Sequence, residues 1–60
     1  MNIPKSEILW VQYVNNGKIT FIVTSNQTRE WYYLYELIDG RFRKTKYKAH
    51  NPMELEAHIH

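Results

Sequence analysis

The chain has 60 residues, no cysteine and a net charge of +2, which excludes a disulfide framework and a thiolate metal site and leaves few residues from which to build a core. Aromatic residues, at 15% of the chain, are the available substitute, since each buries on the order of 150–250 Å². No apolar run approaches the ~18 residues of a membrane span, and MNIPKSE lacks the basic and apolar regions of a secretory leader. Residues 1–60 are therefore expected to form a single small domain, cytoplasmic in location, with no membrane partner.

Segments 7–14 (EILWVQYV) and 18–25 (KITFIVTS) are rich in β-branched and aromatic residues and read as strands. Asn16-Gly17 between them is a type I′ hairpin signature, because that turn needs φ > 0 at both central residues. A two-residue loop pairs Val14 with Ile19, Gln12 with Phe21 and Trp10 with Val23. One face then carries Ile8, Trp10, Val14, Ile19, Phe21 and Val23 as the core. The other carries Leu9, Val11, Tyr13, Thr20, Ile22 and Thr24.

Ser25 to Arg29 is polar and turn-like. Segment 30–38 (EWYYLYELI) is read as a third strand from its aromatic density, although Trp31, Leu34, Tyr35 and Ile38 also fit a helical stripe. Asp39-Gly40 favours the strand, as a second hairpin turn leading into the cation-rich strand that completes a hairpin over residues 30–48. This hairpin pairs Leu37 with Phe42, Tyr35 with Lys44, Tyr33 with Lys46 and Trp31 with Lys48 on one face, and Glu36 with Arg43 on the other. Glu36 and Arg43 would make a cross-strand ion pair. That second face also sets Tyr32 against Tyr47, Leu34 against Thr45 and Ile38 against Arg41. Parity through a two- or four-residue β2–β3 loop puts Tyr32, Leu34 and Ile38 on the core face. An odd loop would exchange the faces.

Asn51-Pro52-Met53-Glu54 supplies an N-cap, a proline at the first helical position and a glutamate three residues after the cap. It predicts a helix from Pro52 whose stripe of Pro52, Leu55 and Ile59 lies on the sheet. The expected fold is thus α+β, mainly β: a four-stranded antiparallel meander with a short C-terminal helix on one face (β-β-β-β-α).

Five of the eight cations, Arg41, Arg43, Lys44, Lys46 and Lys48, fall in the last strand. The uncovered face would gather Trp31, Tyr33 and Tyr35 beside Lys44, Lys46 and Lys48. Open-sheet aromatics stack on unpaired bases and lysines meet phosphate, so the lead expectation is a non-enzymatic module for single-stranded or structured nucleic acid. Arg41 and Arg43 would supplement it from the strand edge. The alternative is a protein-interaction or regulatory protein, homodimeric or with another partner, through an apolar patch of Leu9, Val11, Tyr13, Ile22, Trp31 and Tyr33. His50, His58 and His60 lack the convergence a metal site needs. Both glycines are accounted for as turns, so no phosphate-cradling loop remains. Neither a cofactor nor catalysis is expected.

Overall fold

A computed structural model describes residues 3–59. Four strands, β1 (Glu7–Asn15), β2 (Lys18–Asn26), β3 (Tyr32–Ile38) and β4 (Arg41–Ala49), form one antiparallel sheet in the order β1-β2-β3-β4. A turn of α-helix, α1 (Pro52–Leu55), continues into a 3-10 turn over Glu56–His58. The fold is the β-β-β-β-α meander expected above, and segment 30–38 is strand rather than helix over Tyr32–Ile38.

Both hairpin turns form where the glycines place them. Asn16 and Gly17 have φ of 54° and 75°, and Asp39 and Gly40 have 51° and 79°, which is the paired left-handed geometry of a type I′ turn. The β2–β3 connection is organised by Asn26, whose amide donates to the Trp31 carbonyl at 3.1 Å and so leaves residues 27–30 as the loop proper. Its side-chain oxygen accepts hydrogen bonds from the Glu30 and Trp31 amides at 2.8 and 3.1 Å. Its carbonyl accepts from the Arg29 amide at 3.1 Å. Arg29 follows at φ 59°, a conformation that costs a non-glycine residue about 1–2 kcal/mol.

The β1–β2 register departs from simple pairing in two places. Val14 pairs with Ile19 as the turn requires, but Tyr13 pairs with Phe21, leaving Thr20 unpartnered in β2. Val11 pairs with Val23 and Leu9 with Thr24, leaving Trp10 unpartnered in β1. Each bulge shifts the pairing by one residue, and the second restores what the first changed. Between them the faces of β1 are exchanged. Val11 and Tyr13, expected on the uncovered face, pack against the core. Trp10 and Val14, expected inside, are 44% and 64% exposed. Trp10 keeps an edge-on contact with Tyr32 at 5.5 Å between centroids and lies under the Arg29 guanidinium at 5.2 Å. Ile38 is also exposed rather than core.

Pairing of β3 with β4 follows the expected register near the turn, through Leu37–Phe42, Glu36–Arg43 and Tyr35–Lys44. Beyond it Tyr33 pairs with Lys48, not Lys46, and Tyr32 with Ala49, not Tyr47. Thr45, Lys46 and Tyr47 together oppose the single residue Leu34. The Thr45 hydroxyl donates to the Leu34 carbonyl at 2.9 Å and accepts from the Tyr47 amide at 3.1 Å, so a side chain replaces the interrupted ladder. Two extra residues preserve parity, which is why the faces of β3 and β4 are as expected although the partners are not.

The helical turn covers one face, where Leu55 joins Phe21, Val23, Tyr32 and Leu34, flanked by Val11, Tyr13, Tyr47, Ala49 and Ile59. Asn51 caps it by accepting from the Met53 amide at 2.9 Å, with Pro52 at the start. Tyr13 adds a tie by donating its hydroxyl to Glu56 at 3.2 Å. Burial, then that hydrogen bond and the Glu56 charge, raise the Tyr13 phenol above its ordinary value.

Candidate nucleic-acid interface and the second face of the sheet

The second face of the sheet is not open. Ile22 and Thr24 have no exposed surface and Tyr35 is 3% exposed, with no helix over them. Side chains of the edge strands themselves meet over these residues. In a flat sheet three inter-strand spacings of ~4.8 Å would hold the edge strands ~14 Å apart. Here the Glu7 carboxylate of edge strand β1 reaches the Lys44 ammonium of edge strand β4 at 2.6 Å. The same carboxylate accepts from the Thr24 hydroxyl of β2 at 2.8 Å and the Tyr35 hydroxyl of β3 at 2.6 Å. One side chain thereby ties all four strands across this face.

The electrostatics of this cluster follow from its contacts. Burial is the largest single effect on Glu7 and pushes its carboxyl up. Hydrogen bonds from Lys44, Tyr35 and Thr24, with the Lys44 charge, together outweigh it and hold the carboxyl below the ordinary 4.5. For Tyr35, burial, then the bond to Glu7 and its charge, push the phenol far above the usual tyrosine range. A buried carboxylate with charge-assisted donors on both oxygens is well satisfied.

The residues proposed for base stacking and phosphate contact are partly gathered and partly not. Tyr35 is buried and its hydroxyl is held by Glu7, so it offers no ring to a base. Lys44 is taken by Glu7 and also sits over the Tyr33 ring at 4.0 Å. Tyr33 is half-buried. Trp31 is half-buried beyond the start of β3, against the His50 ring at 3.8 Å and beneath the Lys48 ammonium at 4.8 Å. His50 is oriented by donating Nδ1–H to the Glu30 carbonyl at 2.8 Å. Lys46 leans toward the Tyr47 ring at 5.6 Å. Arg41, Arg43, Lys46 and Lys48 are exposed, and none forms an ion pair among the described residues, where Glu7–Lys44 is the pair observed. The expected Glu36–Arg43 ion pair is absent although the two are cross-strand partners.

The alternative apolar patch is dispersed by the same geometry. Ile22 is fully buried, Val11 and Tyr13 face the helix side, and Leu9 remains 39% exposed on the second face. Glu7, Thr24 and His50 are the residues missed from sequence. An acid two positions before Leu9, inside an apolar strand, was the available signal for Glu7.

No group of three potential metal-ligating side chains occurs among the described residues, and His60 lies outside them. No helix among the described residues is long and apolar enough to cross a membrane. In comparison with known proteins, no family model, curated protein or solved structure matches the chain.

Proposed function

We propose that the protein is a non-enzymatic binding module for single-stranded nucleic acid, with the exposed edge strand β4 as its contact surface. The observation that carries this reading is the run of unpaired cations, Arg41, Arg43, Lys46 and Lys48, along one edge, with Trp31, Tyr33 and His50 beside its C-terminal half. Phosphate contact, rather than a wide stacking platform, supplies the affinity. Trp31 and Tyr33 each have a cation or imidazole on the ring already, so a base must share or displace that contact. Tyr35 and Lys44 act as scaffold.

Fluorescence titration tests this. In the Trp10→Phe variant Trp31 is the remaining tryptophan, and a short oligonucleotide is expected to quench it. Four phosphate contacts give a log–log salt slope of about −2.8, so affinity should fall about 50-fold between about 50 and 200 mM salt. Lys48→Ala and Arg43→Ala should each weaken binding and make the slope shallower. No quenching at low salt overturns the reading.

A further inference from the structure

The helix-bearing face holds a groove of about 250 Å³ between the sheet and the C-terminal turn. Phe21, Leu34 and Tyr47 line it with apolar and aromatic surface, His58 comes from the helical turn, and Glu36 and Thr45 come from β3 and β4. It shares none of these residues with the Trp31–Lys48 edge, and it does not rest on the nucleic-acid reading.

Its polar side chains differ in charge and in how far each is engaged. The Thr45 hydroxyl both donates to Leu34 and accepts from Tyr47. The Tyr47 ring is stacked on His58 at 3.7 Å with an interplanar angle of 12°, which fixes both rings as a wall. Glu36 is different. It is half-buried, lines the groove, and makes neither an ion pair nor a side-chain hydrogen bond among the described residues, even though Arg43 stands across from it. A lone carboxylate beside aromatic surface is complementary to a cation with an apolar body, since the ring faces also attract positive charge. One carboxylate is too few for a metal ion. The volume lies just under the ~300–1,000 Å³ of sites for drug-sized ligands, which favours something smaller.

We propose that this groove is a binding site for a small organic ammonium ion, with Glu36 as the counter-charge and Phe21, Leu34 and Tyr47 receiving the apolar body. The probe is 2-phenylethylammonium, titrated by NMR into the full chain, with neutral 2-phenylethanol as its uncharged counterpart. The expected result is saturable shifts at Phe21, Tyr47 and His58, with a dissociation constant of about 1 mM. Glu36→Gln should keep the native spectrum and weaken the amine about tenfold or more, while 2-phenylethanol binds the unaltered protein about tenfold more weakly than the amine. Shifts that do not saturate, an affinity unchanged in Glu36→Gln, or an alcohol that binds as well as the amine would each overturn the proposal. Because the alcohol comparison uses the unaltered protein, it decides the matter even if the variant does not fold.

Discussion

Glu7 on β1 and Lys44 on β4 meet at 2.6 Å across the face that the helix leaves uncovered, although β2 and β3 lie between them in the sheet. The Glu7 side chain is 8% exposed and that of Lys44 is 44% exposed, so the two ends of the pair contribute unequally. Removing the carboxylate orphans the Tyr35 and Thr24 hydroxyls in buried surroundings. Glu7→Ala is therefore expected to cost about 2–3 kcal/mol, from hydrogen bonds to a charged group. Lys44→Met should cost no more than about 1 kcal/mol, because the ammonium is well solvated and screened. Thermal unfolding followed by circular dichroism checks the order. At about 4–8 °C per kcal/mol for a domain of this size, the two variants should be readily told apart.

The same contacts dictate a pH dependence. The folded Glu7 carboxyl titrates below its ordinary 4.5, so the stability it contributes is fully present above that value. It is lost as pH falls through the lower folded value. Tyr35 has the opposite sign. Its phenol is raised above the ordinary 10.0, so its contribution is present below that pH and disappears as pH climbs through the raised value. Denaturant unfolding across the acid range should show a limb that flattens in Glu7→Gln. An unchanged acid limb in that variant would assign it to other carboxylates.

Ser25 is fully buried on the helix-bearing side of β2, and its hydroxyl has no hydrogen-bond partner. An unsatisfied buried polar group costs about 1–3 kcal/mol. Ser25→Ala removes the hydroxyl without opening a cavity of consequence and should raise the unfolding midpoint, by an amount corresponding to about 1 kcal/mol. A fall in the midpoint would mean that the hydroxyl is satisfied in solution.

The strands and their order were legible because Asn16-Gly17 and Asp39-Gly40 admit almost no other backbone, and each anchors the pairing nearest to it. Helix start was legible at Asn51-Pro52 for the same local reason, with Asn51 capping Met53 as its side chain allows. What escaped was cumulative. A bulge at Thr20 exchanges the faces of β1 until a second at Trp10 restores them, and neither residue differs in type from its strand neighbours. The burial of Ile22 and Tyr35 escaped because the Glu7 carboxylate joins residues far apart in sequence, Thr24, Tyr35 and Lys44. Alternation sorts side chains into two faces and carries no information about which of them reach across a face to bury Tyr35.

Leu55 is the apolar side chain of α1 that is fully buried, at 1% exposure among Phe21, Val23, Tyr32 and Leu34. A four-residue α-turn has no stability of its own in water, so docking of this leucine holds it in place. Leu55→Ala should cost about 2–5 kcal/mol, a large share of the roughly 3–9 kcal/mol expected for a chain of this length. Urea unfolding should show a much lower midpoint. Amide exchange in residues 52–58 should accelerate before exchange in β2. Equal acceleration in β2 and in the turn would instead mean that the two unfold as one unit.

Thr45 governs where β4 resumes pairing after its interruption. Its hydroxyl donates to the Leu34 carbonyl and accepts from the Tyr47 amide, groups that the bulge would otherwise leave without strand partners. Thr45→Val keeps the shape and β propensity and deletes both bonds, at an expected cost of about 1–3 kcal/mol. Thr45→Ser keeps the hydroxyl and should recover most of that loss. The local readout is the Tyr47 amide, whose hydrogen exchange should quicken in Thr45→Val but not in Thr45→Ser. A second readout lies farther along the strand, since the two extra residues of the bulge set Lys48 opposite Tyr33 and its ammonium over Trp31. If the hydroxyl holds that register, Trp31 emission in a Trp10→Phe background should shift in Thr45→Val and return in Thr45→Ser. If exchange at Tyr47 quickens while Trp31 emission stays constant, the register beyond the bulge is held by the Trp31–His50 contact instead.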